Sequence, residues 1–96
     1  PHRHDIDNPP EEIDMEETYF YRFNPQQGFG IQKVYTADKR IDEIYTIEEN
    51  DTVAIAEGYH PLAAAPGYDM YYLWTMTGAN NRGLISSKDP KHAWVK

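Results

Sequence analysis

The chain reads as all-β, a sandwich or barrel of short strands. Stretches rich in aromatic and β-branched residues recur at spacings of about 8–12 residues, each bounded by Gly, Pro, Asn or Asp, as in strands joined by turns. No stretch repeats apolar residues with the period of an amphipathic helix, and there is no internal repeat or low-complexity segment. Its 96 residues fit one small domain with a modest core.

Residues Asp5 to Asp14 hold Asn8-Pro9-Pro10 and many acids, which is loop chemistry because proline removes a donor and fixes φ. Glu17 to Phe23 (ETYFYRF) favours a strand, with Glu17, Tyr19, Tyr21 and Phe23 on one face. Asn24 to Gly28 turns the chain. Phe29 to Thr36 reads as the next strand, with Ile31, Lys33 and Tyr35 on a face that could be core or pocket, opposite Gln32 and Val34. After the turn Ala37 to Arg40, Asp42 to Glu48 forms another strand, and Glu49-Asn50-Asp51 turns again. Thr52 to Ala56 is a short strand, Gly58 marks a turn, and His60 to Ala64 can be extended. Ala65-Pro66-Gly67 precedes a last aromatic strand, Asp69 to Thr77. Residues 78–96 read as a loop-like tail in which Asp89-Pro90 can start a short helix.

The formal net charge of −7 argues against nucleic acid, whose phosphates need Lys and Arg, and against an anionic membrane surface. Acidity is concentrated between Asp5 and Glu17, while the segment after Asn80 is mildly basic. There is no cysteine, hence no disulfide and no thiolate metal site, which suits a reducing cytoplasm. No run of about 18 apolar residues and no signal-peptide pattern occurs, so the expected location is cytoplasmic.

Chemistry points to the histidines. His2 and His4 form an H-x-H pair, and on extended backbone residues two apart aim at the same side. His60, in Gly58-Tyr59-His60-Pro61, could bring a third imidazole from a distant turn. Three imidazoles meeting at one point would hold a metal with open positions, a Lewis acid. The competing reading is that short histidine clusters near a terminus are ordinary surface residues.

An H-x-H pair, a carboxylate at the head of the next strand and a His after a Gly turn resemble the metal set of cupin barrels. The match is closer to one family. Pro1-His2-Arg3-His4-Asp5, Glu17-Thr18-Tyr19, Gly28-Phe29-Gly30-Ile31-Gln32, Val34-Tyr35-Thr36, Asp42-Glu43, Gly58-Tyr59-His60-Pro61, Ala65-Pro66-Gly67-Tyr68-Asp69, Tyr71-Tyr72-Leu73 and Asp89-Pro90 with His92 and Trp94 resemble, in order, the 5-deoxy-glucuronate isomerases of inositol catabolism. These are bacterial members of the uronate isomerase cupins.

That resemblance implies a double-stranded β-helix, and it covers the C-terminal cupin of a two-cupin protein. Residues 1–96 would then be a partial cupin whose first strands are missing, as the abrupt start at Pro1 also suggests. It implies His2, His4, Glu17 and His60 as metal ligands, with Glu17 preferred to Glu16 because it directly precedes the Thr-Tyr strand. Zinc is the usual metal, manganese and iron being alternatives. The implied reaction is an aldose–ketose isomerisation of a uronate sugar, 5-deoxy-glucuronate to 2-deoxy-5-keto-gluconate. It needs polarisation of a carbonyl and a base that moves a proton between adjacent carbons. Metal-bound hydroxide, Glu16, Tyr19 and Tyr72 are candidate bases, beside the plainer reading of the tyrosines as barrel filling. Lys33 and Arg22 are candidates for the substrate carboxylate. Gln32 is expected to satisfy buried backbone, and Asp5 and Asp7 to belong to a solvated acidic loop rather than to a metal.

Three departures stand out. The Asn8-Pro9-Pro10 loop is inserted between H-x-H and Glu17, Ala56 stands where the family often has proline, and Asn81 to Ser87 lacks the expected aromatic and basic residues. Other readings of the same ligands are a non-catalytic metal- or sugar-binding cupin, a 4-deoxy-uronate ketol-isomerase, or an oxygen-using iron cupin. A cupin without its first strands would expose sheet edges, so self-association or pairing with the missing N-terminal part is expected.

Overall fold

A computed structural model of the chain describes residues 1–80 and 83–95 and is all-β. The strands are β1 (His2–Arg3), β2 (Glu16–Asn24), β3 (Phe29–Tyr35), β4 (Asp42–Glu48), β5 (Thr52–Ile55), β6 (Leu62–Ala64), β7 (Asp69–Thr77) and β8 (Ser87–Lys88). Every pairing is antiparallel, in sheets ordered β5-β2-β7, β4-β3-β6 and the ribbon β1-β8. Among the described residues no helix is long and apolar enough to cross a membrane.

Alternation along β2 sets the core. Glu17, Tyr19, Tyr21 and Phe23 are buried, while Thr18 and Arg22 are exposed. The three aromatic rings pack with Ile55 of β5 against Val34 of β3 and Ile47 of β4, so the core lies between the two larger sheets. Removing a Phe23- or Ile47-sized side chain from water supplies roughly 1.5–3 kcal/mol each. In the register, Tyr19 lies opposite Val53 on one side and Trp74 on the other, and Glu17 lies opposite Ile55 and Met76. Glu17 is thereby the end member of an inward row.

The inward face of β3 is the even one. Gly30, Gln32 and Val34 are buried, whereas Ile31 is 42 % exposed and Lys33 only half-buried. The expectation that this face lines core or pocket is corrected for Ile31 and Lys33. Tyr35 is buried instead beneath Asp89, to which its hydroxyl donates at 2.6 Å. Inward Gly30 has a steric reason: a Cβ there would lie 2.6 Å from the Ala63 carbonyl oxygen, so glycine permits β6 to approach β3.

The tail contains structure that a two-residue strand cannot announce by periodicity. β8 pairs with β1, matching His2 to Lys88 and Arg3 to Ser87. Asp89 then caps a turn of 3-10 helix, Pro90–His92, its carboxylate accepting from the Lys91 amide at 3.0 Å. Within the 78–96 tail, Asn81, Arg82 and Lys96 lie outside the described residues.

Candidate metal centre

Each arm of the site is held by backbone. β8 fixes β1, and the Asp89 amide donates to the Pro1 carbonyl at 3.0 Å, so His2 sits on a tied strand. His4 follows it, and the Met15 amide donates to the His4 carbonyl at 2.8 Å, closing residues 5–14 into an excursion between His4 and β2. Glu17 comes from the inner face of β2. His60 arrives from the turn after β5, where Tyr59 and Tyr35 exchange two backbone hydrogen bonds of 2.9 Å and Lys33 N–H donates to the Pro61 carbonyl.

These elements bring His2, His4, Glu17 and His60 together, one ligand atom from each lying within 4.8 Å of the others. The ring centroid of His60 is 4.9 Å from those of both His2 and His4. His4, Glu17 and His60 are buried, at 1 %, 5 % and 3 % exposure, and His2 is half-buried at the rim.

Two tautomers follow from the hydrogen bonds. His4 Nδ1 lies 2.6 Å from the Met15 carbonyl oxygen, and His60 Nδ1 lies 2.8 Å from that of Gly58. A carbonyl only accepts, so each Nδ1 carries the proton and, in the neutral ring, each Nε2 presents a lone pair. Both Nε2 atoms then face the same carboxylate oxygen, Glu17 Oε2, at 2.9 and 3.0 Å. His60 Nε2 is buried and lacks the alignment of a hydrogen bond despite that short distance. Two lone pairs and an anionic oxygen repel unless a proton or a metal cation lies among them.

A divalent metal fits this donor set. Ligand atoms about 2.0–2.2 Å from one zinc are roughly 3.3 Å apart, near the 2.9 and 3.0 Å that separate Glu17 Oε2 from the two imidazole nitrogens, while all four donors lie within 4.8 Å. Carbonyl acceptors behind metal-ligating imidazoles are also the usual means of fixing the ring.

Electrostatics tell the same story. Burial would raise the Glu17 carboxyl, but the adjacent His4 and His60 imidazoles outweigh it and hold it at about 2, so Glu17 is an anion. Burial lowers the His2 imidazole, and the neighbouring His60 and His4 lower it further, favouring the neutral ligand form. Burial opposes the charged form of His4 as well, but its contacts with Glu17 and Met15 prevail and raise it, so a cation arriving there competes with a proton.

Around the centre, Tyr19 stacks on Tyr21 at 5.9 Å and touches Tyr72 at 5.6 Å, its ring 6.1 Å from His60. Burial, then the nearby Glu17 carboxylate, pushes the Tyr19 hydroxyl far up, so it stays protonated. Gln32 is fully buried. Its Oε1 accepts from the Tyr21 hydroxyl at 2.7 Å, and its Nε2 donates to the His60 carbonyl at 3.4 Å, satisfying buried backbone as expected.

The remaining candidates lie elsewhere. Glu16 is on the exposed face of β2. Arg22, also exposed, pairs with Glu49 at 2.6 Å, and Lys33 reaches Asp42 at 3.4 Å over the Tyr35 ring. None of the three joins the histidine cluster. Sequence reasoning missed Glu12, 2 % exposed, and the contact of Asp5 with Gly58. Both lie in an aperiodic loop, and only the turn-forming Asn8-Pro9-Pro10 hinted that this loop doubles back.

A two-sheet antiparallel scaffold carrying three imidazoles and one carboxylate around a point defines a class: an all-β protein with a candidate centre for a divalent metal. The chain belongs to the KduI/IolB family, whose model matches residues 1–95. It is 46 % identical over 95 residues to a protein of Bacillus licheniformis and to one of Geobacillus kaustophilus, both named 5-deoxy-glucuronate isomerase. Those matches cover 99 % of this chain but 35 % and 34 % of the relatives, so the chain spans about a third of their length. An IolB-like protein from Salmonella typhimurium LT2 has a crystal structure that superposes with a TM-score of 0.93 at 44 % identity, over 97 % of this chain and 35 % of that one.

Proposed function

We propose that this chain carries the metal centre of a cupin-type aldose–ketose isomerase that converts 5-deoxy-glucuronate to 2-deoxy-5-keto-gluconate in inositol breakdown. The observation that carries the reading is the convergence of two tautomer-fixed imidazole nitrogens on one Glu17 oxygen. The names of the relatives supply the substrate. Zinc is the metal this donor set suits, with manganese or iron as alternatives. A divalent ion held by His2, His4, Glu17 and His60 would act as a Lewis acid on the sugar carbonyl and its neighbouring hydroxyl.

The chain's own groups do the rest. Glu17 cancels one unit of the ion's charge and the imidazoles cancel none, so the centre stays positive where negative charge develops. Tyr19, held protonated, acts as a hydrogen-bond donor rather than as the base. Glu16 faces outward, which leaves Tyr72, in contact with Tyr19, as the better placed of the three side-chain candidates for proton transfer. A cysteine-free chain suits the reducing cytoplasm, where we place this activity.

The test is elemental analysis of the purified protein alongside an isomerase assay. Stoichiometric divalent metal, loss of turnover on chelation and inactivity of His60→Ala are expected. Turnover that survives complete metal removal would overturn the proposal.

The free edge of β7 points to the partner. Among the described residues β7 pairs only with β2. Tyr71, Leu73 and Trp74 are 63 %, 54 % and 50 % exposed, and the strand holds no Pro, Lys or Arg to blunt pairing. We infer that a further strand, from the polypeptide outside this chain or from a second copy, covers that edge.

A further inference from the structure

The loop between His4 and β2 turns two of its carboxylates, Asp5 and Glu12, inward. Glu12 Oε2 accepts from the backbone amides of Asp5 at 2.6 Å and Ile6 at 3.1 Å, and Oε1 lies 3.3 Å from Arg3 Nε. The loop achieves this by closing on itself, with the Asn8 amide donating to the Glu12 carbonyl at 2.9 Å and the Glu12 amide to the Asn8 carbonyl at 3.2 Å. Glu12 therefore fixes the backbone immediately after His4. From that backbone Asp5 reaches across to the other arm of the site. Its two carboxylate oxygens accept from the Gly58 amide at 3.1 and 2.9 Å.

Gly58 is the residue whose carbonyl holds the His60 ring. Its N–H is thus tied to the H-x-H segment and its C=O to the third histidine. The same two segments touch again where the Arg3 guanidinium lies over the Tyr59 ring, 5.3 Å from its centroid. Two ligand-bearing segments far apart in sequence converge only if something sets their separation, and a charge-assisted bond to a backbone amide does so with defined direction.

We propose that Asp5 is a positioning residue for the metal centre, locking the His2–His4 segment to the His60 turn through Gly58, with Glu12 holding the backbone from which Asp5 projects. This rests on the metal-centre reading above. It also assigns a task to the inserted Asn8-Pro9-Pro10 loop, which returns Glu12 to the histidine segment.

Cobalt(II) is the probe, titrated into the purified protein against a chromophoric chelator, with the visible d–d spectrum recorded. Asp5→Ala is expected to weaken cobalt binding by about 10–100-fold and to alter the spectrum. Asp5→Asn keeps an oxygen acceptor for Gly58 and is expected to stay within about threefold of wild type with the same spectrum. A merely structural Asp5 would lower the melting temperature of metal-free protein and leave the cobalt spectrum unchanged, which overturns the proposal. So does an Asn variant as impaired as the Ala variant. Failure of wild type to bind cobalt would sink the metal-centre reading itself, a different outcome from wild type and Asp5→Ala binding alike. Should Asp5→Ala not fold, hydrogen exchange on wild type decides. The Gly58 amide should exchange at least about tenfold more slowly than an open amide, and exchange at the open rate overturns the lock.

Discussion

Tyr21→Phe isolates one hydrogen bond in the wall of the site. Tyr21 and Gln32 are both fully buried, and the phenol donates to Gln32 Oε1 at 2.7 Å. Phenylalanine preserves the ring and its packing against Tyr19 and Tyr72, so little apolar area changes. What changes is that Gln32 Oε1 loses its donor in a place water cannot enter, a loss of about 1–3 kcal/mol. With a midpoint near 2 kcal/mol, the melting temperature of a domain this size should fall by roughly 8–16 °C. Gln32→Leu removes the acceptor and the weaker 3.4 Å contact with the His60 carbonyl. In the double variant no buried acceptor is left by the phenol, so it should recover at least about 1 kcal/mol relative to the sum of the single changes. Urea denaturation of metal-free protein at constant m-value measures all four corners of the cycle. A Tyr21→Phe loss below about 0.5 kcal/mol, or strict additivity, would refute the claim that this bond is the buried oxygen's main satisfaction.

Further outcomes are expected. Gly58 has φ +101°, and a Cβ there would lie 2.9 Å from the Tyr35 carbonyl oxygen, so Gly58→Ala should cost about 1–3 kcal/mol from backbone strain alone. Thermal melting checks it, and an unchanged midpoint would show that the turn can adopt another conformation. The Asp89 carboxyl is held below its usual value, chiefly by the Tyr35 hydroxyl. Its folded-state value being the lower one, the stabilisation is complete above the unfolded value near 3.8 and is lost as pH falls through the folded value. Tyr35→Phe should therefore be less stable than wild type at neutral pH, by a gap that narrows on acidification below about pH 4; a gap that widens there contradicts the assignment. Placing Lys at Leu73 and Tyr71 puts two charges at the free edge of β7, and sedimentation velocity should then show less association between copies of this chain than for wild type. Equal association would place the contact on another surface.

How much of this was legible follows from which patterns have a period. β2 announced itself because Tyr19, Tyr21 and Phe23 alternate with exposed residues, and that row carried Glu17 to the correct face. β3 misled because its outward positions, Ile31 and Tyr35, look more apolar than the inward Gly30 and Gln32. Glycine is inward there because β6 comes too close for a side chain, and Gln32 because it has buried hydrogen bonds to make. The reason for the glycine is not visible without the neighbouring strand. That for Gln32 is legible as an expected bond to buried backbone, but its consequence for the face of β3 is not.

The histidine cluster was readable for a similar reason: H-x-H is a period-2 pattern, and period 2 fixes direction on extended backbone. What sequence could not convey is the protonation logic. That His4 and His60 both present Nε2 depends on the Met15 and Gly58 carbonyls, and any residue type supplies a carbonyl. The selective step at this centre is thus carried by groups without sequence identity, and the side chains that aim those groups become the informative ones. Asp5 matters on this argument because it holds the Gly58 peptide from its amide side, while His60 uses the same residue's carbonyl. A substitution that leaves all four donors in place can therefore still spoil the site, and acidic loop residues with no periodic signal are where such substitutions should be sought.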